Sequence, residues 1–228
     1  MFTPPRLTAT LAVVASVGAL LVTARESAAQ SGGTALSFAI LGGPAVTCTR
    51  STVTTGDVGV ASTTAFTNTG CTISGNIHAG DALAAQAYSD YLRAYDAVAA
   101  RPCSGALLTG TLAGRNLAPG VYCVSAEAKT GVLTLNGPAS GSWIFKVTDG
   151  AHTGAFTGTS FSVVLAGGAQ ACNVTWWSEA AATQTDSDLK GNILSGAAIT
   201  LTRGSFVGRA LAKAAVTLTD VTNLGGCV

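Results

Sequence analysis

Near the C-terminus, pairs of threonines recur at a constant interval of seventeen residues. The pairs are Thr183 and Thr185, Thr200 and Thr202, and Thr217 and Thr219, within AATQTD, AAITLT and AAVTLT. Short β-type runs separated by glycine surround them, and few have the Asn-Gly or Asp-Gly links of tight hairpins. A period this short excludes a propeller blade, and it predicts one coil of a parallel β-solenoid per repeat.

Alternation along each strand predicts which side chains face the interior. The inward positions are Ile199, Leu201, Val216 and Leu218, with Ala182 and Gln184 one coil earlier. The threonine pairs then point outward on one flat face, which Thr134, Thr153, Thr157 and Thr159 extend irregularly at best. Gln184 is an exception, because a buried amide needs hydrogen-bond partners, and it predicts that this coil is less regular or that its register differs there. A separate, more charged face is expected to carry Lys190, Asn192 and Arg209.

The first 29 residues have the pattern of a secretory signal peptide. Arg6 precedes an apolar run from Leu7 to Val22, and Ser27 and Ala29 form a small-residue site that predicts cleavage after Ala29. The alternative is a membrane anchor, since the run approaches the ~20 residues that a span requires. Polar interruptions of the run favour cleavage. We therefore expect a secreted protein, free of the membrane after cleavage, with one domain over residues 30–228.

Charge and composition exclude several classes of partner. Only 10% of the 228 residues are charged, with 12 basic and 11 acidic side chains. Without a basic stripe, the chain is not expected to bind nucleic acid or an anionic membrane. A monomer without cofactor or metal is expected.

Six cysteines in an exported chain predict three disulfides, although six cysteines allow fifteen connectivities. Because neighbouring coils of a solenoid lie close together, the favoured pairs are Cys48–Cys71 and Cys103–Cys123, which leaves Cys172–Cys227. A zinc site is the alternative, but no pair has C-x-x-C spacing.

One alanine-rich segment interrupts the β pattern. Apolar residues recur at helical spacing, which predicts an amphipathic helix over about residues 81–101. Asp81 is a candidate N-cap, Arg101 complements the helix dipole and Pro102 ends the helix. A helix of this kind is expected to cover apolar surface of the solenoid.

Evidence for catalysis is weak. His78 with Asp81 is best interpreted as a turn and helix-cap pair, and the alternating acids Asp186 and Asp188 as a solvated turn. These two acids lack the additional carboxylates that calcium coordination requires. The sequence also has no G-x-S-x-G, H-E-x-x-H or phosphate-binding glycine loop, so an enzyme is not expected.

Five segments, in order, resemble the microbial ice-binding, or antifreeze, family. They are TGDVGV (55–60), GNIHAGDALAAQA (75–87), LAPGVYC (117–123), GAQACNVTWW (168–177) and GRALAKAAVTL (208–218). The resemblance implies a roughly triangular, discontinuous, right-handed parallel β-solenoid with a long α-helix packed alongside. It also implies a secreted protein that adsorbs to the surface of an ice crystal and causes thermal hysteresis or inhibits recrystallisation.

The six threonines of the repeat are then the candidate ice-binding residues. Neighbouring coils lie ~4.8 Å apart and outward residues i and i+2 ~6.7 Å apart, so the pairs form a rigid grid of hydroxyl and methyl groups. The alternative hypothesis is an extracellular structural or adhesive β-solenoid module without ice activity, in which the threonines serve only strand packing.

Overall fold

The computed structural model describes residues 32–148 and 154–227. The predicted signal peptide therefore lies outside the described residues, as does Thr153. Within the described part, no helix is long and apolar enough to cross a membrane.

The described chain is mainly β, with one α-helix and two short 3-10 helices at Gly33–Ser37 and Ala171–Asn173. The helix α1 spans Ala82–Ala99. The strands are β1 Phe38–Gly42, β2 Val46–Thr49, β3 Thr52–Val53, β4 Asp57–Val60, β5 Phe66–Thr69, β6 Thr72–Ile73, β7 Ile77–Ala79, β8 Asn116–Leu117, β9 Gly120–Ser125, β10 Lys129–Asn136, β11 Trp143–Thr148, β12 Phe156–Ala166, β13 Val174–Ser178, β14 Ala182–Lys190, β15 Asn192–Ser195, β16 Ile199–Val207, β17 Ala210–Ala212 and β18 Val216–Gly225.

Two parallel sheets organise these strands. The eight-stranded sheet has the order β7-β4-β1-β17-β15-β13-β11-β9, and the ten-stranded sheet has the order β5-β2-β18-β16-β14-β12-β10-β8. Each regular coil contributes one strand to each sheet, as the seventeen-residue period predicts. The predicted β-solenoid with one packed helix is confirmed.

Each long strand of the ten-stranded sheet bends in its middle, which gives the coils three sides. Asp186, Arg203 and Asp220 occupy the bends with φ of 52°, 56° and 54°. The next turn of each coil needs glycine: a Cβ on Gly208 would lie 2.0 Å from the carbonyl oxygen of Gly191. Bends stacked in this way keep each side flat from coil to coil.

The coils do not follow chain order. β18, the last strand in the chain, pairs with β16 on one side and with β2 on the other. The two N-terminal coils are thus added beyond the C-terminal coil, with Val46 beside Val216. The helix follows the outermost of these coils, and the chain then restarts at the opposite end of the solenoid with β8 and β9. This arrangement is the discontinuity that the family resemblance implies.

Stacked apolar and aromatic side chains fill the interior. All the predicted inward residues are buried, Gln184 included. The ring of Trp176 stacks with those of Phe145 and Phe156, with ring centroids at 4.2 and 4.7 Å. Gln184 fits because the neighbouring coil has Gly158 in register with it, and the amide donates to the Phe156 carbonyl oxygen at 3.2 Å. The register of this coil is regular, so the expected irregularity is wrong, although the buried Gln184 Oε1 accepts no hydrogen bond from a described residue.

The helix lies against the outer side of the eight-stranded sheet. Asp81 caps its N-terminus by accepting from the Ala84 N–H at 2.8 Å. At the other end, Lys146 on β11 donates to the carbonyl oxygens of Ala99 and Arg101 at 2.6 and 2.7 Å. The helix is therefore fixed at one end by a cap from its own chain segment and at the other by the sheet below it.

Three disulfides join Cys48 to Cys71, Cys103 to Cys123 and Cys172 to Cys227, the same pairs that the stacking argument favours. Each links segments that the solenoid brings together. The first joins the two N-terminal coils, and the second fastens the segment before β8 to the edge strand β9.

Candidate functional site

One side of the solenoid carries the same five-residue pattern, Ala-x-Thr-x-Thr, on six successive coils. In spatial order the segments are 65–69, 45–49, 215–219, 198–202, 181–185 and 155–159. Residue-to-residue pairing aligns the threonines in two unbroken columns. The columns are Thr67, Thr47, Thr217, Thr200, Thr183 and Thr157, and Thr69, Thr49, Thr219, Thr202, Thr185 and Thr159. We call these two columns, with the alanines that begin each segment, the threonine face.

The alanines form the third column of this face. The backbone ladder continues through them: the N–H of Ile199 donates to the Ala215 carbonyl oxygen at 3.0 Å, and that of Val216 to the Ala45 carbonyl oxygen at 3.1 Å. The side chains alternate with the buried inward residues and so point outward. Since alanine adds only a methyl group, the face stays flat at this edge.

The threonine side chains are available to solvent. All twelve are half-buried or exposed. Within residues 32–148 and 154–227, none of their hydroxyl groups is hydrogen-bonded to another protein side chain or backbone group. The face therefore presents methyl groups and unengaged hydroxyl groups, and it carries no charge.

Charged residues border the face at the bends of four successive coils. Arg203 Nε donates to Asp186 Oδ1 at 2.5 Å, and Arg50 Nε to Asp220 Oδ1 at 2.8 Å. These four side chains alternate in sign along the solenoid axis. Hydrogen bonds from Arg203 and Arg50 lower the pKa of the Asp186 and Asp220 carboxyl groups, respectively. The border is thus polar but neutral in sum.

The six predicted threonines lie together on this face, and six further threonines complete it. Thr157 and Thr159 are in regular register with Thr183 and Thr185, so the expected irregular extension is wrong for them. Thr134 pairs with Val164 on another side of the coil. The predicted set lacks Thr47, Thr49, Thr67 and Thr69, although each pair stands in the same Ala-x-Thr-x-Thr pattern. That pattern was the signal that could have identified them.

The expected charged face does not exist as one surface. Asn192 and Arg209 are buried on the outer side of the eight-stranded sheet, beneath the helix region. Lys190 ends β14 on the third side of the coil, where its ammonium group pairs with Asp188 at 2.6 Å. The prediction of a charged outer face is therefore wrong for Asn192 and Arg209, because the helix covers that part of the solenoid.

The residues considered for catalysis and metal binding have structural partners. His78 Nδ1 lies 2.7 Å from Asp81 Oδ2, beside the helix cap. Asp186 and Asp188 form ion pairs with Arg203 and Lys190. In the described ranges, no group of three or more His, Cys, Asp or Glu side chains is arranged to hold a metal ion.

A discontinuous parallel β-solenoid with one helix along its eight-stranded sheet defines the structural class of this protein. Residues 40–223 match the family described as Ice-binding-like. The chain belongs to this family.

Individual relatives agree with this assignment. An ice-binding protein of Nostoc sp. (strain HG1) is 33% identical over 168 residues, which cover 72% of this chain and 61% of the relative. An ice-binding protein of Typhula ishikariensis is 30% identical over 199 residues, covering 77% of this chain and 79% of the relative. The crystal structure of an ice-binding protein from Antarctomyces psychrotrophicus superposes with a TM-score of 0.77 at 33% identity, covering 85% of this chain and 97% of that one. The chain spans less than two thirds of some relatives, 61% of the Nostoc protein and 64% of one from Flavobacterium frigoris.

Proposed function

We propose that this protein binds ice through the threonine face and thereby inhibits ice growth and recrystallisation. The observation that carries the proposal is the unbroken register of Ala-x-Thr-x-Thr over six coils. Family membership and the names of the relatives support the same conclusion.

The dimensions and chemistry of the face suit a crystalline partner. Six coils spaced ~4.8 Å apart and five residues per segment give a plane of about 24 Å by about 13 Å. Methyl groups on this plane order the adjacent waters, and free hydroxyl groups hydrogen-bond to them. Each contact is weak, but a β-solenoid face is rigid before binding and loses little conformational entropy on docking. Growth of ice between adsorbed molecules then becomes curved and less favourable.

Two structural features explain why this side, and not another, is suited to ice. The helix covers the outer side of the eight-stranded sheet, so that side is unavailable. The third side carries Asp188 and Lys190 as a charged pair on its outer surface. A surface of exposed ions keeps its own hydration shell, whereas the threonine face is uncharged.

The test compares two matched double variants. Thr200→Lys/Thr217→Lys places two lysines on neighbouring coils of the threonine face, and Ser205→Lys/Thr222→Lys places two on the same strands but on the third side. We expect the wild-type protein and the third-side variant to inhibit ice recrystallisation, and the threonine-face variant to lose at least tenfold in activity while keeping its Tm.

Each other outcome has a definite meaning. Activity retained in the threonine-face variant would move ice binding to another surface. Inactivity of the wild-type protein in both recrystallisation and thermal hysteresis assays would overturn the proposal. An adhesive role would then be favoured, and binding to cells or glycans would be its direct measurement.

We further propose that the protein is secreted as a monomer after cleavage behind Ala29 and that it is not an enzyme. Three disulfides support an oxidising compartment. N-terminal sequencing of the secreted protein tests the cleavage site, and sedimentation tests the oligomeric state.

A further inference from the structure

A column of polar residues lies on the helix-covered side of the solenoid. Thr175, Asn192 and Arg209 follow one another at the seventeen-residue interval on β13, β15 and the turn before β17, and their exposed fractions are only 3%, 6% and 8%. The packing around them is apolar and includes Tyr91 and Leu211. Buried polar groups in such surroundings require partners.

Arg209 is the charged member of this column, and its hydrogen bonds use only part of its donor capacity. Nε donates to the Leu36 carbonyl oxygen at 2.9 Å, and Nη1 donates to Asn192 Oδ1 at 3.3 Å. Both acceptors are neutral. Among the described residues no carboxylate forms an ion pair with Arg209, whereas four acidic side chains pair with other arginines or lysines. Arg209 is therefore a buried cation without a counterion in the described protein.

Burial lowers the pKa of the Arg209 guanidinium group to about 10, so the group remains protonated at neutral pH. An uncompensated buried charge is costly for a protein, and an added anion would reduce that cost.

A small cavity adjoins this cation. It has a volume of about 30 Å³ and lies between the 3-10 helix at Gly33–Ser37, the α-helix and the eight-stranded sheet. Arg209, Asn192 and Thr175 provide its polar lining. The Thr175 hydroxyl group has no hydrogen bond to another described residue and can donate into the cavity. A space of this size holds one or two water-sized particles.

We propose that this cavity binds a small monovalent anion of the size of chloride, held by the Arg209 guanidinium and the Thr175 hydroxyl group. One unpaired positive charge favours a single negative charge, and the cavity volume excludes phosphate, sulfate and larger carboxylates. The anion neutralises Arg209 where the 3-10 helix, the α-helix and the sheet meet. It thus stabilises the attachment of the helix and has no part in contact with ice.

Thermal unfolding at fixed ionic strength provides the solution test. Chloride is exchanged for gluconate, which is too large for the cavity, and chloride is then titrated from about 5 to about 500 mM with gluconate as the balancing anion. A ligand that binds only the folded state raises Tm with its concentration above Kd, so we expect a progressive rise of several degrees. Arg209→Met should abolish this rise and Thr175→Val should reduce it. Arg115→Met, at an exposed arginine, should retain it.

A crystallographic measurement on the wild-type protein covers the case in which Arg209→Met does not fold. Crystals soaked in bromide should show an anomalous peak within hydrogen-bonding distance of the Arg209 guanidinium. A cavity without that peak, or a Tm that is equally sensitive to chloride in Arg209→Met, would mean that it holds only water and would overturn the proposal. Ice activity is not used as a readout, so failure here leaves the proposed function untouched.

Discussion

Two outer surfaces of the solenoid follow the same seventeen-residue period, but the helix covers one of them and leaves the other open to solvent. On the eight-stranded sheet, the outward residues include Trp177, Leu194 and Leu211, and the helix buries them. On the threonine face, the corresponding positions hold only alanine and threonine, and they remain open. Large apolar side chains need a cover, because leaving them in water costs about 25 cal/mol for each Å² of exposed apolar surface. Small residues in register need none, so the second surface is free for a partner.

The largest expected difference between these surfaces concerns a tryptophan. Trp177 packs against Tyr95 with ring centroids 5.1 Å apart, and its Nε1 donates to the Tyr95 carbonyl oxygen. Trp177→Ala should reduce the free energy of unfolding by about 3–5 kcal/mol in a denaturant titration. Thr200→Val, on the open face, should change it by no more than about 0.5 kcal/mol. Equal effects of the two substitutions would remove the distinction between the surfaces.

A smaller loss of stability is expected at Lys146, which binds the C-terminal end of the helix to the covered surface. Lys146 donates to the carbonyl oxygens of Ala99, the last helical residue, and Arg101, two residues further on, and Lys146→Met leaves both without this partner. The loss of these charge-assisted bonds should cost about 2 kcal/mol. In the Lys146→Met variant, backbone amides at the C-terminus of the helix should exchange hydrogen faster than those of the sheet. Lys190→Met, at the pair with Asp188, is the matched control and should cost little.

The covered surface should also respond to alkaline pH, whereas the threonine face has no ionisable side chain. Tyr91 donates to the Ser195 carbonyl oxygen at 2.6 Å, and burial raises the pKa of its hydroxyl group above the usual value near 10. The stability linked to this shift is complete below pH 10 and is lost as pH rises above it. Between pH 9 and 11, the wild-type protein should lose about 1.4 kcal/mol more than Tyr91→Phe. Identical pH profiles in urea titrations would contradict the burial argument.

The smallest effect is expected at the charged border of the open face. The Asp186–Arg203 pair is exposed to solvent, so a double-mutant cycle with Asp186→Asn and Arg203→Gln should give a coupling free energy that is smaller than the effect of Lys146→Met. Because salt screens exposed pairs, the coupling should vanish in about 1 M NaCl. A coupling that persists there would make the border a structural support of the face.

Local patterns in the sequence are sufficient to predict the solenoid coil and the helix. Alternation around Ile199 and Val216 identified the inward side, and helical spacing after Asp81 identified the helix almost to its ends. Such patterns depend only on residues that are close in sequence, so they can be recognised without knowledge of the strand order.

The full extent of the threonine face depends on topology instead. The six Ala-x-Thr-x-Thr segments begin at 45, 65, 155, 181, 198 and 215, so only the last three keep the seventeen-residue interval. The helix and the opposite end of the solenoid lie between the second and third segments. Nothing local indicates that the segment at 45 pairs with that at 215. Likewise, the polarity of Asn192 and Arg209 could not reveal their burial, because the covering element comes from a distant part of the chain.

The pairing of β2 with β18 also determines when the molecule can assemble. Arg50 and Asp220, which join these coils, are 170 positions apart, so most of the chain must be present before the join can form. Contacts between residues this distant carry a large loop-closure cost, and proteins rich in them fold slowly. The complete plane of six coils can therefore form only after β18 has been synthesised.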